Sequence, residues 1–190
     1  MPPKNRVGLS FGAFWTRLRF DDGDRSFEES ALGASYERRL TPRVTLQGSL
    51  GGILSGTLSG LSGWPGAFAG VGGSYSVLEQ SGAIPFVMLS GALSASFLSG
   101  TSGGRPYALY AADLRASVTV GYTLQERFTP YAVTRFFGGP VFFNGHVGTD
   151  VYHFQIGVGL VVGLPKNFDL SLELAPLGEQ RVSLGVGYSF

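Results

Sequence analysis

No cysteine occurs among the 190 residues, so disulfides and thiolate-held metal sites are excluded. Charge is scarce as well. Asp, Glu, Lys and Arg make up 14% of the chain, against about 25% in an ordinary soluble domain. The net charge of +1 gives no clustered basic surface of the kind nucleic acid requires. Long apolar runs are missing too: none approaches the roughly 18 residues that a membrane helix needs. The start, Met1-Pro2-Pro3-Lys4-Asn5-Arg6, lacks the apolar centre of an export signal.

What the chain does contain is glycine, with 30 residues, and 44% hydrophobic residues, the two intermingled. That much glycine disfavours helices. The dominant pattern is a two-residue alternation, which separates side chains onto opposite faces of a strand. From Val151 to Leu164 one phase reads Tyr152, Phe154, Ile156, Val158, Leu160, Val162, and the other His153, Gln155, Gly157, Gly159. Phe168, Leu170, Leu172 and Leu174 alternate with Asp169, Ser171, Glu173 and Ala175, and Val44, Leu46, Leu50 and Leu54 oppose Thr45, Gln47, Ser49 and Gly51.

Such segments fall near residues 7–20, 27–39, 44–55, 66–78, 84–97, 107–122, 128–137, 151–164, 167–175 and 181–190. Most reach the roughly 9–11 residues of a tilted strand crossing a bilayer. The glycine- and serine-rich segment 66–78 is the weakest, and the phase of 128–137 is ambiguous. If two of the segments are loops, the strand count drops from about ten to eight. Connections alternate between short turns (41–43, 79–83, 123–127, 165–167) and mostly longer loops (21–26, 55–65, 98–106, 138–150).

A soluble β fold would turn its apolar phase inward and cover the other phase with charge. Here the second phase is mostly Gly, Ser, Ala and Thr, which fits a narrow lumen and makes a poor solvated exterior. The large side chains therefore face lipid. Aromatics sort into two levels, as bilayer interfaces select: Phe86, Tyr122, Phe128, Phe168, Tyr188 and Phe190 toward the short turns, and Trp15, Phe97, Tyr107, Tyr110, Tyr152 and Phe154 toward the long loops. The expected fold is all-β, a transmembrane antiparallel up-and-down β-barrel of about ten strands forming a single domain over 1–190.

The ending, Arg181-Val-Ser-Leu-Gly-Val-Gly-Tyr-Ser-Phe190, resembles the C-terminal insertion signal of bacterial outer-membrane proteins. Val182, Leu184, Val186, Tyr188 and Phe190 match its alternation toward a terminal aromatic. In architecture the whole chain is similar to the small outer-membrane barrels of OmpA and OmpW type. The resemblance implies a location in the outer membrane of a Gram-negative bacterium, contact with its lipids and lipopolysaccharide, and recognition by the barrel-assembly machinery. It also implies short turns and both termini in the periplasm, and Met1 is then expected to replace a removed export signal. The class shares a fold without sharing an activity.

Function is read as non-enzymatic: a structural, anchoring or partner-binding role in the cell envelope, with an envelope protein as partner. A narrow pore for small solutes is the alternative, and a membrane-embedded hydrolase (protease or lipid A deacylase) ranks below both. Glu37, Asp113, Arg115 and Glu173 lie on the small-residue phase, and Arg135 is placed with them, as a lumenal charge network. Such charges must pair or stay hydrated; they either plug the barrel or line a constriction. The only histidines, His146 and His153, flank Asp150, and an Asp/His pair at the rim is suited to activating water. Omptin proteases use Asp and His at that level, but the loops here are shorter, and the expectation is a polar loop residue plus a lumen-facing histidine. Asp21-Asp22-Gly23-Asp24 lacks the closing Glu of a calcium loop and reads as a solvated turn. The glycine pairs Gly51-Gly52, Gly72-Gly73 and Gly103-Gly104 precede no Lys-Ser/Thr, so no phosphate loop, cofactor or metal site is assigned.

Overall fold

Ten antiparallel strands, joined each to the next around a ring, close into a barrel in the computed structural model, which describes residues 4–102 and 105–190. They are β1 (Asn5–Phe20), β2 (Gly23–Arg39), β3 (Val44–Leu58), β5 (Gly66–Leu78), β6 (Phe86–Ser102), β7 (Arg105–Gly121), β8 (Phe128–Gly138), β11 (Phe154–Gly163), β12 (Phe168–Gly178) and β13 (Gln180–Ser189). Three short strands sit among the long loops: β4 (Leu61–Ser62), β9 (Val141–Phe143) and β10 (His146–Asp150). The seam joins the first strand to the last, with β1 and β13 paired from Arg6↔Ser189 to Trp15↔Gln180. The weak segment 66–78 is a full strand, because both its neighbours offer complementary ladders. Gly103-Gly104 lies outside the described residues.

The loop 138–150 is not irregular. β8 and β9 share one register along β7, Leu114↔Gly138 and Ala111↔Val141, interrupted at Gly139-Pro140. After the two-residue turn Asn144-Gly145, with φ of 49° and 86°, β10 returns and pairs with the upper end of β1 through Leu18↔Asp150 and Phe20↔Gly148. Positive φ at both central residues gives the turn a twist that matches antiparallel strands. The β12–β13 hairpin ends lower, at Gly178-Glu179, so the β9–β10 hairpin passes over its tip. The wall thus closes twice, through ten strands at the short-turn end and, above that tip, through β9 and β10 in place of β8, β11, β12 and β13.

Alternation places Val7, Leu9, Phe11 and Trp15 on the outer wall of β1, and outward charge begins beyond them at Arg17. On β2 the outward residues between Glu28 and Arg38 are Ser30, Leu32, Ala34 and Tyr36, with no charge among them. That stretch is close to the roughly 9–11 residues of a bilayer crossing. Leu46, Leu50, Val71, Leu93, Leu114, Val158, Leu170 and Leu184 continue the exposed apolar band around the barrel.

Three expectations fail inside the wall. Glycine and serine fill only the middle and lower lumen; the long-loop end is packed by Leu18, Phe20, Phe27, Ile53, Leu58, Trp64, Leu98, Leu109, Val141 and Phe143. Tyr107 stacks on Trp64 and Phe143 within this plug, at 6.0 Å from each, instead of joining the outer aromatics. Phe86 likewise turns inward and lies across Gly121. The reason is shared: where cross-strand neighbours are glycines, an inward ring fills the vacated space. His153 is the third failure. It is exposed beside Gly138, because residues 151–153 break the ladder and the strict phase does not carry across them.

Candidate functional site

From the short-turn end upward, the lumen begins with an ion triad. The Arg6 guanidinium donates to Asp169 at 2.6 and 3.0 Å and to Glu37 at 2.8 Å. β1, β2 and β12 are thereby tied across the seam, since Arg6 faces Glu37 directly and sits beside β13. Charge-assisted bonds of this kind are worth about 1.5–3 kcal/mol, so Arg6→Gln is expected to lower stability by about that much, measured by guanidinium unfolding in lipid vesicles. Above the triad come Ser10, Gly12, Gly33, Ser35, Ser49, Gly70 and Ser94, small residues that leave room at the axis.

A belt of charge follows. Arg135 on β8 and Glu173 on β12 form a two-pronged pair, both contacts at 2.7 Å. Arg135 also donates to Gln155 Oε1 at 2.7 Å, and the Tyr131 hydroxyl donates to Glu173 at 3.0 Å. Buried Gln155 passes the network on, donating to the Glu179 carbonyl at 2.9 Å. Arg115 on β7 contacts Asp113 at 3.1 Å and Glu179 at 3.6 Å, and its guanidinium lies 4.7 Å from the Phe137 ring centroid. Of the residues singled out from sequence, Asp113, Arg115, Arg135 and Glu173 therefore lie in one belt. Glu37 is apart from them, in the lower triad.

Sequence reasoning passed over Arg6, Asp169, Glu29, Gln155, Glu179 and Arg181 as lumenal groups, and weighed Asp150 only as a partner of the rim histidines. Asp169 and Arg181 stand on the small-residue phase, a signal that was available. Glu179 lies in a turn, where alternation predicts nothing. Glu29, Asp113, Asp150, Glu179, Arg115 and Arg181 surround a cavity of about 340 Å³ between the small-residue zone and the plug. Above it the apolar side chains close the lumen, and Arg25 covers them from the loop side, 5.2 Å from the ring centroids of both Phe20 and Phe143.

At the rim, His146 Nδ1 pairs with Asp21 at 2.8 Å, joining the β9–β10 and β1–β2 turns. This contact, with Asp21 fully exposed, holds its carboxyl below the usual range. Asp24 binds Arg19 at 2.9 Å, and Asp22 binds Arg25. Donor atoms of Asp21, Asp22 and His146 come within 4.8 Å of one another, but both carboxylates are already engaged, and Asp150 is turned into the cavity away from either histidine. Val182, Leu184, Val186, Tyr188 and Phe190 all lie on the exposed outer face of the seam, with Tyr188 packed on Phe168 at 5.0 Å and on Phe190 at 5.9 Å.

Among solved structures the chain is similar over its whole length to the outer membrane protease OmpT from Escherichia coli, at 10% identity, 98% coverage of that chain and a TM-score of 0.61. The chain is a barrel of the outer-membrane type. The same holds against an outer membrane channel from Pseudomonas putida F1, with 11% identity, 100% of this chain and 97% of that one covered, and a TM-score of 0.57. Neisserial surface protein A matches this outer-membrane barrel at 13% identity, 97% coverage of each chain and a TM-score of 0.50. No protein-family model matches the chain, and no curated protein matches it. Identities this low carry the fold of the outer-membrane barrel and leave its activity to be argued from its own residues.

Proposed function

We propose that this protein is a non-enzymatic integral barrel of the bacterial outer membrane with a structural, anchoring or partner-binding role in the envelope. Its short turns and both termini lie on the periplasmic side, and it meets lipopolysaccharide at the long-loop end. The observation that carries this reading is the apolar plug. Ten buried hydrophobic side chains fill the lumen at the long-loop end, and a path wide enough for hydrated ions is incompatible with that packing. Purified protein in a planar bilayer is expected to show no single-channel steps. Stable steps would replace this reading with a narrow pore for small solutes, for which the charged cavity under the plug is the supporting feature. A hydrolytic role has only the exposed Asp21–His146 contact in its favour.

The orientation has its own test. The chain holds no cysteine, so Asn144→Cys and Ser81→Cys each introduce a single thiol. On intact cells a membrane-impermeant maleimide is expected to label the first, on the β9–β10 turn, and to spare the second, on the β5–β6 turn. The reverse pattern would invert the barrel. Phe190 ends the outward row of the seam strand, the feature that resembles the assembly signal. Deleting it is expected to lower the amount of folded barrel in the outer membrane severalfold, read as the heat-modifiable band on gels, while the purified variant still refolds in detergent. Undiminished assembly would remove the signal role.

A further inference from the structure

Lys4, Arg38, Arg39 and Arg43 crowd one corner of the short-turn end. All four are exposed, and none takes part in an ion pair among the described residues. The backbone holds them together. The Arg39 N–H donates to the Lys4 carbonyl at 2.8 Å, and the Thr41 hydroxyl accepts from the Arg43 and Val44 N–H groups at 3.2 and 3.0 Å. The nearest carboxylate in sequence, Glu37, is turned into the lumen and engaged with Arg6. The other exposed charged side chains of this end, Glu79, Glu126, Arg127 and Lys166, cancel. The positive excess is therefore confined to one corner.

The outer wall beside that corner is unusual too. Arg38 pairs with Leu46, Leu46 with Gly73, and Gly73 with Gly91, so the outward row passes from cation to leucine to a bare glycine floor. Over it lies a trough of about 540 Å³ walled by Leu46, Val71, Leu93 and Leu114. A second trough of about 710 Å³ runs just above, over Gly48, Ala69 and Ala95. Both open to the hydrocarbon, where the occupant at hand is an acyl chain, and both start next to an unneutralised cationic cluster at headgroup level.

We propose that this corner and its troughs form a binding site for one anionic glycerophospholipid, the phosphate held by Arg38, which stands on the outward row, with Lys4, Arg39 and Arg43 adding positive charge from the rim beside it, and the acyl chains laid over Gly91 and Gly48. Clustered Lys and Arg beside a membrane surface select anionic headgroups, and small side chains let a chain approach the wall closely. The choice of a glycerophospholipid over lipid A rests on the short turns being periplasmic, where the inner leaflet supplies it.

Native mass spectrometry of the full chain, released from mild detergent with equimolar phosphatidylglycerol, phosphatidylethanolamine and lipid A, tests the site without reference to orientation. One phosphatidylglycerol is expected to stay bound. The triple variant Arg38→Gln, Arg39→Gln and Arg43→Gln should lose about ten-fold or more of that retention. Gly48→Leu with Gly91→Leu should lose it severalfold through the troughs alone. Both glycine variants are expected to fold, because an added Cβ meets nothing within 4 Å at Gly48 and only the Arg115 carbonyl, at 3.9 Å, at Gly91. Equal retention of phosphatidylethanolamine, stronger retention of lipid A, or undiminished binding in either variant would overturn the proposal. An inverted cysteine-labelling pattern with binding intact would overturn the orientation and leave the site.

Discussion

Glu173→Leu is expected to destabilise the barrel by about 3–5 kcal/mol, because it strands Arg135 inside the wall without its counter-ion. The pair is two-pronged at 2.7 Å, and the side chains are only 16% and 10% exposed, so solvent compensates little. Arg135→Leu is expected to cost a similar amount, since it leaves the Glu173 carboxylate with only the Tyr131 hydroxyl. The double variant Arg135→Leu/Glu173→Leu should recover most of either loss, because a matched apolar pair removes both desolvation penalties at once. Guanidinium unfolding in lipid vesicles, followed by tryptophan fluorescence, closes the cycle. If the double variant is as unstable as the sum of the singles, the two residues act independently and the belt is not a network.

Removing the plug should have the other large effect. Trp64, Tyr107 and Phe143 lie near-parallel with ring centroids 5.8 to 6.0 Å apart, and each of them meets the other two. Trp64→Ala and Phe143→Ala are each expected to cost about 3–5 kcal/mol, the usual penalty for truncating a buried aromatic. Their sum will fall short of additivity, since they share one contact. The double variant is also expected to show single-channel steps: with the rings gone, the charged cavity beneath joins the loop-side solvent. A double variant that folds and stays silent would show that the small-residue zone or the lower ion triad closes the lumen independently.

The strand count and the outward faces of the seam were legible in the sequence, because a wall one residue thick imposes a period of two on every strand; the phase of 128–137, and with it the direction of Arg135, was not, and pairing with β11 fixes it. What escaped has specific physical causes. The plug was missed because the same Phe and Leu types serve both lipid and a packed interior; Phe20 and Phe11 differ only in parity. An inward ring over a cross-strand glycine, as with Tyr131 above Gly159 and Phe68 above Gly51, is visible only once register is known. The β9–β10 hairpin did leave a signal: Asn144-Gly145 between Val141-Phe142-Phe143 and His146-Val147 is a strong short-range turn motif. The cavity charges Asp150 and Glu179 sit where the ladder breaks, beyond the reach of alternation.

The double closure of the wall has a consequence for how much this protein can be remodelled. Surface turns ordinarily absorb added residues at little cost, and the Asp21-Asp22 tip should do so. The Gly178-Glu179 tip has no such freedom: it is roofed by the hairpin that crosses to β1, an added Cβ at Gly178 would fall 1.9 Å from the Phe154 carbonyl oxygen, and φ there is +80°. An epitope inserted at that point would have to lift β10 off β1, so grafting there should unseat the β9–β10 hairpin.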